Sequence, residues 1–246
     1  MSLLAAALVV VAAFVTATVS GVLGMAGGLL LMGVLLLVLP VTLAFVVHGL
    51  LQLVSNGWRA VLQRAHLRWR VVGWYACGSV LAAAVAAVVA YVPDKAVTYL
   101  VLGLVPALVW LPKGRLSLDA ERPPHAVLAG LFVTGLNLVA GVSGPLLDVF
   151  FVRTGMGRHS VVATKAATQV LSHAVKVLVY GAALTGGQRV PWLVVLVAVP
   201  LSMLGTAVGG RLLDRMSDAS FQSATRWVVT AIGVTYLVQA ARLAAS

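Results

Sequence analysis

Two stretches of the sequence carry polar side chains in a pattern that could hold a charged small molecule. Within the apolar stretch 42–63 stand His48, Gln52, Ser55, Asn56 and Arg59. Their spacing places them on one face of a helix. Within 159–181 stand Thr164, Lys165, Thr168, Gln169, Ser172, His173 and Lys176, which also share a face. Advancing 117 residues carries His48 onto Lys165, Gln52 onto Gln169, Ser55 onto Ser172, Asn56 onto His173 and Arg59 onto Lys176. Amides, hydroxyls, imidazoles and cations are hydrogen-bond donors, the equipment of an anion site. The same groups would serve as a hydrogen-bond clamp between helices, with Arg59, Lys165 and Lys176 snorkelling to the interfaces.

Two glycine-rich breaks precede these stretches. The first is Gly21-Val22-Leu23-Gly24-Met25-Ala26-Gly27-Gly28, and the second is Gly141-Val142-Ser143-Gly144-Pro145, 120 residues on. A short apolar segment follows each break. Glycine permits both the turn and the close approach of a ligand. Pro145 suits a first helical position, with Ser143 as the cap before it. Two helix N-termini would then aim free N–H groups and the positive ends of their dipoles at one place. Asp148, near the start of the second short helix, reads as a cap, as a partner for Lys165, or as a proton-coupling group. His48 and His173 are the other coupling candidates, since imidazole titrates near neutral pH.

These side chains need elements to position them, and composition says which. Hydrophobic residues make up 61% of the chain and charged residues 9%, with a mean hydropathy of +1.06. A soluble domain carries roughly 25% charged residues. Apolar segments recur at 3–20, 29–39, 42–63, 71–91, 96–112, 125–140, 146–152, 159–181, 190–210 and 220–241. Most are long enough to cross a bilayer as helices. The expected fold is therefore an all-α polytopic membrane protein. The net charge of +11 does not point to nucleic acid, because the basic residues cluster in short connections between apolar runs. Cys77 is the only cysteine, so neither a disulfide framework nor a thiolate metal site is expected. The apolar stretch Leu3–Val15 lacks the basic start of a signal peptide and is expected to be mature structure.

The matched blocks define an internal repeat. Its halves are 1–112 and 125–246, joined by a cytoplasmic linker at 113–124. Segments 29–39 and 146–152 are too short to span. If each turns back as a re-entrant hairpin, three full crossings remain in each half, and the second half is inverted. Arg153, Arg158, Arg211 and Arg215 then face the cytoplasm with the basic loops 64–70 and 113–122, and Lys95, Arg189 and Arg242 lie outside. If the short segments run onward, those four arginines move outside, against the positive-inside rule. The expectation is an inverted-topology repeat, each half a broken hairpin plus three spanning helices. Both termini lie outside a bacterial inner membrane. Residues 3–20 could nearly span alone, so the first hairpin is expected to be asymmetric.

The breaks Gly21–Gly28 and Gly141–Pro145, each leading into an apolar half-helix, resemble those of the TauE/SafE sulfite exporter family. So does the two-half layout, over nearly the whole chain. Where the family signature has a run of three glycines, this sequence has Gly27-Gly28 in one half and Ser143-Gly144-Pro145 in the other. The resemblance implies a permease for a small sulfur oxyanion or organic acid. Two rivals are considered. Gly141-Val142-Ser143-Gly144 matches the GxSG of rhomboid intramembrane proteases, with His173 downstream as the base. Against it, the repeat puts Leu23 opposite Ser143, the expected His-x3-Asn is absent (Gln52 follows His48), and Lys165 has no role there. An anion channel would also use polar rings and helix dipoles.

The expected binding site comprises Gly27, Gly28, His48, Gln52, Asn56, Ser143, Gly144, Lys165, Gln169, Ser172 and His173. Lys165 supplies its charge. No catalytic residue, metal or organic cofactor is expected. The partners are a small anion, the lipid bilayer and, as a coupling ion, protons. A homo-oligomer is left open.

Overall fold

The computed structural model describes residues 1–23, 26–111, 118–184, 187–213 and 218–245, apart from the side chains of 213 and 218–222. Gly24 and Met25 of the first break, residues 113–117 of the linker, and Arg215 fall outside the described residues. All regular structure among the described residues is helical. The helices are α1 (Leu3–Leu23), α2 (Ala26–Val38), α3 (Val41–Leu62), α4 (Trp69–Val89) and α5 (Lys95–Leu104). They continue with α6 (Pro123–Ala140), α7 (Gly144–Phe151), α8 (Arg158–Ala182), α9 (Trp192–Leu213) and α10 (Asp218–Ala244).

Local chemistry sets the ends that matter. Asp94 caps α5, its side chain accepting from Val97 N–H at 2.7 Å. Pro106 then tightens the chain into a 3-10 turn, Val105–Trp110, and ends the regular helix. Pro123 and Pro124 open α6, where missing N–H groups cost nothing. Gly141 closes α6 in the left-handed conformation, φ 75°, its N–H donating to Asn137 O at 2.9 Å. Pro145 lies in the first turn of α7, as expected. Ser143 stands at the cap position, but its side chain makes no capping bond.

Both short helices turn back. In an unbroken helix, residues 16 and 27 would lie about 16 Å apart. Instead, a Cβ added to Gly27 would overlap the Thr16 carbonyl and the Ser20 side chain. At the second break, Ala120 N–H, just before α6, donates to Phe150 O near the end of α7 at 2.9 Å. The chain has thus returned to the start of the helix it left.

Six helices are long and apolar enough to span among the described residues: α1, α3, α4, α6, α9 and the Ser223–Ala244 part of α10. The number equals the expected one, but the membership differs. The first arm of each hairpin, α1 and α6, is itself of spanning length. Helix α5 is cut short at Pro106, and α8 carries too many polar side chains to qualify. Large apolar side chains remain exposed along the outside, as with Leu81, Val85 and Val88 of α4. That is the surface of a protein solvated by lipid.

The packing pairs elements evenly across the two halves. Helix α1 packs on α9 as α6 packs on α4, and α3 meets α9 as α8 meets α4. Helix α3 packs on its own counterpart α8, and α5 on α10. In the α3/α8 contact Gly49 lies against Val177 and Gly57 against Val170, so the two helices run antiparallel. Where α5 and the 3-10 turn after it pack on α10, Tyr99 meets Tyr236 and Trp110 meets Trp227, again antiparallel.

Close approach of α4 and α6 depends on glycine. A Cβ on Gly130 would overlap the Tyr75 carbonyl and lie 2.9 Å from Ser79 N, whereas Gly135 on the same helix has nothing within 4 Å. Gly130→Ala is therefore expected to destabilise the protein by about 1–3 kcal/mol, and Gly135→Ala to stay within about 0.5 kcal/mol of wild type. Thermal unfolding of both variants in detergent checks the contrast.

Candidate functional site

Between the two breaks lies a cavity of about 20 Å³. The first half contributes Ser20, Gly28, His48 and Gln52 to its wall. The second contributes Val142, Ser143, Gly144, Gln169 and His173. Both breaks and both polar stripes therefore meet at one point. The matched glutamines, Gln52 and Gln169, both face it. A volume of this size holds a water molecule.

Hydrogen bonds fix the orientation of the wall. The Gln52 Oε1 accepts from Asn56 Nδ2 at 3.1 Å. With its oxygen engaged, Gln52 has its Nε2 donors on the side of Gly28, where an added Cβ would lie 3.4 Å from that nitrogen. Lys176 Nζ donates to His48 Nδ1 at 2.8 Å, so the proton of His48 sits on Nε2, which donates to Gly28 O at 3.0 Å. Asn137 Nδ2 donates to His173 Nδ1 at 3.3 Å, which likewise makes Nε2 the donor of His173. The two imidazole rings stand 5.6 Å apart.

The buried basic side chain of the site is Lys176. Its side chain is 0% exposed, and its second bond runs to Gly141 O at 2.7 Å. Among the described residues no carboxylate lies within ion-pair distance of it. A cation so placed costs several kcal/mol unless it is well bonded. Snorkelling, considered from sequence, is not what Lys176 does: its ammonium turns inward onto the end of α6. Arg59, at the matched position of α3, makes the equivalent contact, Nη2 to Ser20 O at 3.0 Å.

Four of the expected site residues lie off the cavity wall. Gly27 is a packing glycine between α1 and α2. Asn56 bonds back onto its own helix, to Gln52 O at 3.0 Å as well as to the side chain. Ser172 bonds to Tyr75 Oη at 2.6 Å and to Thr134 Oγ1 at 2.8 Å. Its matched residue Ser55 likewise bonds outward, to Thr206 Oγ1 at 2.8 Å. Lys165 forms an ion pair with Asp148, the two side chains being 28% and 33% exposed. The lysine that lies beside the cavity wall, through its bonds to His48 and Gly141, is Lys176 rather than Lys165. Ser143 and His173 share the cavity wall, but no hydrogen bond joins their side chains. Sequence reasoning missed Ser20, Val142 and Asn137. Asn137 alone carried a signal, as a single amide in the apolar run before Gly141.

The chain matches the family model described as sulfite exporter TauE/SafE over residues 9–236. It belongs to that family. TauE/SafE is a family of membrane transporters rather than of enzymes, and the helices described above make this member a multi-pass membrane protein. No curated protein and no solved structure matches the chain. Within this TauE/SafE protein the two breaks that carried the resemblance are the two that line the cavity.

The outward bonds of Ser172 separate clamp from ligand. Ser172→Ala removes the hydroxyl shared by the buried Tyr75 and Thr134 and is expected to cost about 1–2 kcal/mol of stability. It is expected to leave the half-saturating concentration of the transported anion unchanged. Unfolding in detergent and flux in proteoliposomes together check this.

Proposed function

We propose that this protein is a secondary transporter for a small sulfur oxyanion, sulfite or an organosulfonate, bound in the cavity between two inverted repeats. The observation that carries the reading is the meeting of both glycine breaks and both stripe glutamines beside the buried Lys176. Amide donors of Gln52 and Gln169, the Ser143 hydroxyl, the N–H of Gly144 and His173 Nε2 would hold the oxygens of the anion. Lys176, without a carboxylate partner among the described residues, supplies the positive field. The anion would compensate a charge that no carboxylate among the described residues compensates.

The antiparallel crossings of α3 with α8 and of α5 with α10 support inverted repeats, since equivalent helices run in opposite directions only when the two-fold axis lies in the membrane plane. The cavity is too small for an oxyanion without movement, so binding under alternating access requires the two halves to part. Opening would part the two halves first on one side and then on the other. Protons are the proposed coupling ion, with His48 and His173 as the groups nearest the site. Asp148 is a weaker candidate because Lys165 already holds it. The location is the bacterial inner membrane, with both termini outside.

Removing a donor to a charged ligand costs roughly 1.5–3 kcal/mol. Gln52→Leu and Gln169→Leu are each expected to raise the half-saturating concentration for labelled sulfite in proteoliposomes about tenfold or more. An imposed pH gradient is expected to change the rate. Non-saturable conductance would favour a channel. Indifference of saturable flux to the pH gradient would remove the proton coupling.

A further inference from the structure

The two halves fasten their broken hairpins at equivalent places, and the comparison assigns a role to a pair of charges outside the cavity. In the first half, α3 holds the hairpin at two points. Arg59 reaches the Ser20 carbonyl before the break, and His48 Nε2 reaches the Gly28 carbonyl after it. In the second half, α8 does the same. Lys176 reaches the Gly141 carbonyl before the break, and Lys165 pairs with Asp148 after it. The register of the repeat joins these contacts. Lys165 occupies the position of His48, Lys176 that of Arg59, and Asp148 that of Gly28 when the offset of the breaks is carried into the half-helices. The carbonyls of Ser20 and Gly141 differ by one residue in that register.

We propose that Lys165 and Asp148 are positioning residues that pin half-helix α7 to α8, so that Ser143 and Gly144 keep station beside Gln169 and His173. This rests on the transporter reading above and extends it. Each wall of the cavity is then one body, half-helix with long helix, and the bond that links the two bodies at the wall is Lys176 to His48. The two pins differ because of their surroundings. The His48 contact is fully buried and uses a neutral donor on a backbone carbonyl. The Lys165–Asp148 contact is one-third exposed, where an ion pair is tolerated without the desolvation that burial demands.

The pin makes a demand that ligand binding does not, because a pin survives exchange of its charges. Asp148→Asn and Lys165→Met are each expected to lower sulfite flux at sub-saturating concentration about tenfold and by similar factors, because either change releases the same pin and lets Ser143 and Gly144 leave the anion. The exchanged double variant, Asp148→Lys with Lys165→Asp, is expected to return flux to within about threefold of wild type. A second measurement does not need transport. In a Cys77→Ala background, maleimide labelling of Ser143→Cys is expected to speed up in each single variant and to return towards the unmutated rate in the exchange. The proposal is overturned if the exchange is no better than the single variants in both measurements. It is equally overturned if Lys165→Met raises the half-saturating concentration tenfold while Asp148→Asn leaves it unchanged, as loss of a lysine ligand would. If labelling behaves as expected while no variant or wild type moves sulfite, the pin stands and the transporter reading fails.

Discussion

Lys176 brings an ammonium group into the middle of the helix packing, where an unbonded cation would cost several kcal/mol. Its needs explain much of what surrounds it. A helix end offers carbonyl oxygens with no intrahelical partner, and α6 ends at Gly141 within reach. That end requires glycine twice over. Its φ is 75°, and a Cβ there would overlap Met32 and lie 3.0 Å from the Phe45 ring. The second donor of Lys176 goes to His48, which fixes the tautomer of the imidazole and so directs its other nitrogen to Gly28. A continuous chain of bonds thus runs from one break through Lys176 and His48 to the other. The cavity lies alongside that chain, with the positive charge at its back.

The repeat solves the same mechanical problem twice with different chemistry. A broken helix inside a membrane leaves backbone groups that water cannot reach, and each must find a partner in the protein. In both halves the long polar helix after the hairpin supplies them. Arg59 and His48 do this in the first half and Lys176 in the second, where Lys165 instead holds the half-helix through the Asp148 side chain. The stripe serines show the same economy, Ser55 tying α3 to α9 and Ser172 tying α8 to α4 and α6. Only part of each stripe is therefore left for a ligand. Gln52 and Gln169 are the matched pair that both repeats turn inward.

Much of this was legible in the residue pattern. Polar side chains at helical spacing in apolar stretches marked α3 and α8, and the glycine clusters marked the breaks. The common offsets showed that they belong together. What the pattern could not show was rotation. A stripe wide enough to include Ser172 and His173 spans more than one neighbour, and only the packing of α4 and α6 decides that Ser172 bonds to Tyr75 while His173 meets the cavity. The identity of the buried lysine was hidden for a related reason. Lys176 stands near the end of α8, where snorkelling is open to it, but the terminus of α6 comes to meet it in space. Spanning length was misjudged where a local effect intervened. Pro106 cuts α5 short, and the full length of α1 and α6 makes each hairpin one long arm and one short.

Gly28 gives the most direct access to the central claim that an anion occupies this cavity. A methyl group there meets nothing nearer than the Gln52 Nε2 at 3.4 Å and the Gln52 Cδ at 3.7 Å, so the fold tolerates it, yet it intrudes on about 20 Å³ of space. Equilibrium binding of radiolabelled sulfite to purified wild type and Gly28→Ala is the decisive measurement. Saturable binding to wild type and its loss in a variant of unchanged thermal stability is the expected result. Equal binding by both proteins would place the anion elsewhere and contradict the site.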